Sequence, residues 1–304
     1  MNPKFAFLYH IRTFADKHIA FTKVIKTKQE IEHVSSKFDA VIVGSDQVWR
    51  YIFIYDDVGS YFLDFVKDNV KRIAYAASVG VDYNEYPDTV LEKVRILYPN
   101  FDTVSVRERS AVNLIKSLWA TKPMAEHVLD PTMLLEADYY RQIISQEKVK
   151  RQNRNNLFYY VLDMTKSKKD GIRKIAEAKG FNPYTIYSAD AKELKTILKN
   201  GFSQKVEQWL SCIDNSDYVV TDSFHGCVFC ILFNKQFIVY GNKERGLSRF
   251  TSLLGMFGLE NRLVDADIDV DVVVKLPEIN YNQVNKLLEE ERKKSLTFLL
   301  DSLK

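Results

Sequence analysis

The chain has 304 residues, 46% of them hydrophobic, enough for two domains of about 150 residues rather than one continuously growing core. Its 43 basic and 40 acidic residues leave a formal charge of +3, too near balance for bulk attraction to nucleic acid to be the main function. No apolar run reaches the roughly 18 to 20 residues that cross a bilayer, and charges break the opening M-N-P-K-F-A-F-L-Y-H-I-R too often for a signal peptide, so a cytoplasmic protein is expected.

In chain order, residues 5–25 are aromatic and basic without a clear period. Thr27 and Glu30 have capping-box spacing and predict a short helix. Phe38 to Val43 is an apolar β-branched strand pattern ending in Gly44-Ser45-Asp46-Gln47-Val48-Trp49, where glycine permits close backbone approach and Ser45 and Asp46 offer a donor and a base. Lys71 to Ala77 is a second strand ending at Ser78-Val79-Gly80. Asp102 to Val106 is a third; it stops at Arg107 and leads into a helix with Val112, Ile115 and Trp119 on one face. His127 to Leu129 is a fourth, stopping at Asp130-Pro131-Thr132. Apolar strands separated by helices, each ending in polar residues, predict a parallel α/β sheet with its ligands at those ends. There an arginine such as Arg107 can bind carboxylate or phosphate through two hydrogen bonds.

Residues 146–156 are polar, basic and aperiodic, which marks a linker between a first domain over 1–145 and a second over 157–280. In the second domain, strands are predicted at 157–162 and 184–187, with a helix over 171–179 stopped by Gly180 and another over 206–213. Tyr218-Val219-Val220 is a buried strand that turns at Asp222-Ser223-Phe224-His225-Gly226 into a helix. This places an imidazole, a hydroxyl and unpaired N–H groups at a helix N-terminus, where an anion is favoured; the alternative is that Ser223 merely caps the helix and His225 is structural. Cys227 and Cys230 form a C-x-x-C inside the apolar helical run and read as small core residues, without metal or disulfide. Gln236 to Tyr240 is a further strand, and its loop carries Lys243, Arg245 and, in the first turn of the next helix, Arg249: an anion clamp. A helix over 281–304 closes the chain, its charged middle a solvated face.

The stretches F-D-A-V-I-V-G-S-D-Q-V-W, Y-F-L-D-F-V, K-R-I-A-Y-A-A-S-V-G, S-V-R-E-R-S, V-L-D-P-T, S-D-Y-V-V-T-D-S-F-H-G and G-L-S-R-F occur in this order between residues 35 and 265. Together they resemble the polysaccharide pyruvyl transferase family. The resemblance implies two Rossmann-like domains facing a cleft in a glycosyltransferase-B-like arrangement. It also implies phosphoenolpyruvate as donor substrate, a sugar or lipid-linked saccharide as acceptor, a pyruvate ketal and phosphate as products, no cofactor, and only peripheral contact with a membrane-bound acceptor at the inner face. Two departures stand out: the family's opening strand-turn-helix has no counterpart, so a shortened first domain is expected, and Ser223 stands where some members carry arginine. In that frame His225 is the general acid, since an imidazole with a pKa of about 6.5 holds and releases a proton at neutral pH, and Asp46 is the base. Arg107 and Arg249 hold the donor's anionic groups, assisted by Lys243, Arg245, Ser223 and Gly226. Gly44, Ser45, Gln47, Ser78 and Asp222 line the acceptor side. Two other readings stay open, a nucleotide-sugar glycosyltransferase and a catalytically silent sugar-binding or scaffold protein.

Overall fold

The computed structural model describes residues 3–120, 122–146, 155–186, 205–241 and 246–304, with side chains from residue 9 onward. In chain order its elements are α1 (Pro3–His18), α2 (Lys28–Ser35), β1 (Ala40–Val43), α3 (Tyr51–Ile54), α4 (Val58–Tyr61), β2 (Lys71–Ala77), α5 (Asp88–Leu97), β3 (Thr103–Val106), α6 (Arg109–Leu118), β4 (Glu126–His127) and α7 (Ala137–Ser145). Then follow β5 (Asn156–Tyr160), α8 (Lys166–Lys179), β6 (Asn182–Tyr184), α9 (Val206–Asp214), β7 (Tyr218–Thr221), α10 (Phe224–Leu232), β8 (Gln236–Tyr240), α11 (Ser248–Met256), β9 (Leu263–Val264), α12 (Val270–Val274) and α13 (Tyr281–Leu303). The strands form two all-parallel sheets, one in the order β1-β2-β3-β4 and the other β6-β5-β7-β8-β9. This is the α/β class expected from apolar strands alternating with helices, since parallel strands need covered crossovers. No helix among the described residues is long and apolar enough to cross a membrane.

Two compact units result, and the chain passes between them more than once. The first comprises Lys23–Leu134, Asn242–Gly258 and Asn282–Lys304; the second comprises Met1–Thr22, Leu135–Gly241 and Leu259–Tyr281. A single division at a 146–156 linker, most of which lies outside the described residues, therefore does not describe the folding units, and the closing helix is not a separate piece. The physical reason is its inner stripe. Ser295 Oγ accepts from the Leu129 N–H at 3.0 Å, Thr103 Oγ1 donates to Ser302 Oγ at 2.8 Å, and Phe298 and Leu299 pack with Tyr75, Ala76 and Val128. Of the charged middle of α13, Glu289, Glu290 and Lys293 are exposed, whereas Arg292 Nε donates to the Met133 carbonyl at 2.9 Å.

The core of the first unit is aromatic. Trp49, fully buried, stacks on Phe62 with ring centroids 5.3 Å apart and meets Trp119 edge-on at 5.4 Å; its indole N–H donates to the Tyr61 carbonyl at 3.0 Å. Such pairs add directionality to simple area burial. In the second unit Leu157, Ile172, Ile175, Tyr218, Val220, Ile238 and Tyr240 form the core. Cys227 and Cys230 are fully buried, and burial pushes both thiols up, as fits inert core residues.

Several local signals take the forms the sequence predicts. Thr27 and Glu30 make both halves of the capping box of α2, and Gly180 caps α8 in the left-handed region at φ 68°. Strands β2 and β8 have their predicted bounds; of the strand predicted over 184–187, Tyr184 closes a strand that begins at Asn182, and residue 187 lies outside the described residues.

Candidate functional site

The predicted residues fall into two clusters at the carboxyl ends of strands, one in each unit. In the first unit, β1 ends at Gly44. Its φ is 134°, and a Cβ there would lie 2.0 Å from the Tyr75 carbonyl oxygen, so only glycine fits between β1 and β2. Ser45 Oγ donates to Asp130 at 2.9 Å. Asp46 sits in the left-handed region at φ 46°, its carbonyl accepts the Ser78 N–H at 2.9 Å, and its carboxylate is 71% exposed. Gln47 turns inward: its Oε1 accepts from the Arg50 guanidinium at 3.1 Å, and Arg50 also pairs with Glu85 at 3.4 Å.

The neighbouring strand carries a bulge. Register shifts between Ala74 and Ala77, with Ala76 left-handed at φ 50°. The hydroxyl of Ser105 on β3 satisfies the irregular backbone, accepting from the Ala76 N–H at 3.0 Å and donating to the Ala74 carbonyl at 3.1 Å. This bend delivers Ser78 beside β3, where its hydroxyl donates to Glu108.

Arg107 is the hub. Its side chain is 1% exposed and reaches three carboxylates: Asp130 at 2.9 Å, Asp46 at 3.0 Å and Glu108 at 3.4 Å. Burial pulls its pKa down, but Glu108, Asp130 and Asp46 together hold it above the ordinary arginine value. The expectation that Arg107 grips a ligand anion directly thus meets a guanidinium already engaged by internal carboxylates, and what it presents outward is Asp46. Glu108 is wholly buried, and burial raises its carboxyl against the opposing pull of Arg107, Ser78 and Arg249.

Arg249 enters the same cluster from the first turn of α11. Gly246, at φ 92°, leads into it so close to the Ser78–Gly80 turn that a Cβ would lie 1.8 Å from the Gly80 carbonyl oxygen, and Ser248 Oγ donates to that same carbonyl at 3.3 Å. Burial, then the charge of Arg107, push Arg249 down to about 10, with Glu108 and Asp46 opposing and Arg50 adding to the fall. It remains cationic at neutral pH. An arginine at a helix N-terminus needs negative charge beside it, and Glu108 and Asp46 supply it. Lys243 and Arg245 lie outside the described residues.

In the second unit the D-S-F-H-G turn joins β7 to α10. Ser223 is the N-cap, its Oγ accepting the Gly226 N–H at 3.3 Å, so its hydroxyl has the capping role. Gly226 is required because a Cβ would meet Thr221 Oγ1 at 2.5 Å; that hydroxyl donates to the Tyr160 carbonyl at 2.7 Å. Asp222, expected to line a cleft, is 2% exposed and turned inward. It accepts the N–H groups of Leu162 and Asp163 at 2.6 and 3.1 Å and pairs with Lys168 Nζ at 2.8 Å, which fastens the turn to the end of β5. His225 is the second residue of α10, partly exposed, its ring edge-on to Phe224 at 5.4 Å.

Sequence reasoning thus finds the strand-end residues and misses what holds them. Glu108 and Asp130 stand inside motifs already noted, R-E-R-S and V-L-D-P-T, but nothing in the pattern says that they turn inward. Lys168 gives no signal at all, because a lysine in a basic helix reads as surface. Among the described residues no group of three or more His, Cys, Asp and Glu is arranged to hold a metal ion.

Comparison with solved structures returns this fold. The chain is similar to a UDP-GlcNAc 2-epimerase from Neisseria meningitidis bound to UDP-GlcNAc, with a TM-score of 0.53 and 11% identity over 95% of this chain and 83% of that one. A glycosyltransferase from Rickettsia africae aligns with a TM-score of 0.47 and 12% identity over 96% of this chain and 84% of that one. It is the epimerase likeness that gives the fold, an α/β architecture of the glycosyltransferase-B-like class. Curated protein sequences contain no match to the chain. The profile of the family described as polysaccharide pyruvyl transferase matches residues 2–244, which takes in both strand-end clusters up to the loop before Arg249, and on that match the chain belongs to the polysaccharide pyruvyl transferase family.

Proposed function

We propose that the protein transfers the pyruvyl group of phosphoenolpyruvate onto a pair of hydroxyls on a sugar of a surface or capsular polysaccharide precursor, forming a ketal and releasing phosphate. The observation that carries this reading is the family match across residues 2–244. The chemistry needs three things: a proton for the donor's methylene carbon, a base for the attacking hydroxyl, and cationic or N–H groups for carboxylate and phosphate. His225, partly exposed in the first turn of α10, is the proposed proton donor. As the methylene carbon takes that proton, C2 becomes electrophilic and the first sugar hydroxyl adds to it, giving its proton to Asp46. The second hydroxyl then displaces phosphate, which leaves carrying the remaining proton. Asp46 then gives its proton to solvent and His225 takes one up, which resets both residues; one sugar proton thus balances the third hydrogen of the new methyl group, the other leaves on phosphate, and the sum closes without a cofactor.

In this reading Arg107 is a positioning residue that holds Asp46 at the strand end, and Arg249, in the first turn of α11, meets an anionic group of the donor. Binding a ligand to the folded state raises its melting temperature, so phosphoenolpyruvate is expected to raise that of the full chain and a nucleoside diphosphate to leave it unchanged. The reverse pattern in a thermal-shift assay would favour a nucleotide-sugar glycosyltransferase.

A further inference from the structure

A polar cavity lies within the first unit, at the junction of β3 and α6. Its volume is about 390 Å³, within the range of small-molecule sites, and Arg109, His127, Thr251, Ser252, Glu291 and Lys294 line it. None of these residues has a part in the chemistry proposed above. The Arg109 backbone N–H donates to Ser252 Oγ at 3.1 Å, which ties α11 to the start of α6. At the wall, His127 Nε2 lies 3.2 Å from the Arg107 carbonyl oxygen. A carbonyl only accepts, so Nε2 carries the proton, and the neutral ring presents Nδ1 as an acceptor.

The lining has a particular chemical sense. A guanidinium and an ammonium, against one carboxylate, call for an anionic group. Glu291, 3.5 Å from Lys294, together with the bare ring nitrogen, calls for O–H donors on the same ligand. The hydroxyls of Thr251 and Ser252 serve either need. An inorganic anion would satisfy the cations but be repelled by Glu291, and a neutral sugar would leave the cations unanswered. We propose that this cavity binds a phosphorylated sugar, its phosphate between Arg109 and Lys294 and its hydroxyls on Glu291, Thr251, Ser252 and His127 Nδ1.

The electrostatics of His127 supply an independent readout. Burial holds its imidazole below the ordinary histidine range; the Arg107 carbonyl opposes this, Lys294 and Arg109 add to the depression, and Glu291 opposes it. A phosphate between the two cations would offset their fields, so ligand binding must move the His127 midpoint to higher pH.

The test is calorimetric titration of the full chain with glucose 6-phosphate, inorganic phosphate and glucose, paired with an NMR titration of the His127 ring. The expected result is binding of glucose 6-phosphate more tightly than inorganic phosphate, with none for glucose. Arg109→Gln and Lys294→Met should each weaken it about tenfold, the loss of a charge-assisted hydrogen bond, at unchanged melting temperature. Glu291→Gln should weaken glucose 6-phosphate more than phosphate, and the His127 midpoint should rise only when ligand is present. No binding in the millimolar range, binding indifferent to the three substitutions, or equal affinity for phosphate and glucose 6-phosphate would each overturn the proposal. None of these outcomes depends on pyruvyl transfer, so the two readings fail separately.

Discussion

His225→Ala lowers turnover with phosphoenolpyruvate about a hundredfold or more while the protein still folds and binds the donor. That is the usual range for a lost general acid, and a hundredfold corresponds to about 2.7 kcal/mol of barrier. His225 is partly exposed at the second position of α10, and the turn around it is held by other groups: the Ser223 cap, the Thr221 hydroxyl, and Asp222 with its two N–H donors and Lys168. None of these bonds involves the imidazole. Steady-state kinetics beside a melting curve separate the roles. A loss confined to kcat at an unchanged melting temperature is the expected outcome, whereas a melting temperature that falls with activity would make the residue structural and turnover at the wild-type level would remove it from the chemistry.

Arg107→Met destabilises the first unit by about 3–5 kcal/mol, the cost of deleting one partner from a buried ion pair. The magnitude follows from what is left behind. Glu108 and Asp130 have side chains 0% and 2% exposed, and without the guanidinium both carboxylates lose the cation they share in a dry environment. Glu108 is already held above the usual carboxyl range by burial, with Arg107 its principal opposing charge. Loss of the arginine raises it further, so the variant takes up protons on folding and its stability improves as pH falls. A carboxyl whose folded-state pKa lies above its unfolded value contributes stability that is present below the unfolded value and lost as pH rises through the folded one. Chemical denaturation at several pH values measures both quantities. Equal stability of the two proteins at neutral pH would show that Arg107 is not the electrostatic hub.

The sequence makes the strand ends legible because a parallel strand covered on both faces is an apolar run, and polar residues can follow only where the run emerges. Lys71–Ala77 and Gln236–Tyr240 therefore appear with the bounds they have in the structure. The same logic finds Asp46 and Arg107, each immediately past a strand, and Asp222 and His225 past another. What it cannot deliver is the direction in which a side chain turns. Asp46 faces outward and Asp130 inward because Arg107 binds both, and Asp222 turns inward because two backbone N–H groups and Lys168 await it. Backbone irregularity is equally silent in the sequence. Ala76 in the left-handed region has no signature of its own, and only the Ser105 hydroxyl one strand away makes the bulge tenable. Helix α1 escapes for another reason, since the sequence over residues 5–25 has no clear period to detect. The rejoining of α13 to the first unit depends on residues more than 150 positions apart, beyond any local pattern.

Release of inorganic phosphate from phosphoenolpyruvate measures the proposed reaction directly. Incubated with phosphoenolpyruvate and a panel of lipid-linked and nucleotide-linked sugars, the protein is predicted to release phosphate with at least one acceptor, in step with the appearance of a pyruvate ketal on that sugar and not without it. Absence of release across the panel, together with binding of the sugars alone, would contradict the account and identify a silent sugar-binding protein on a pyruvyl transferase scaffold.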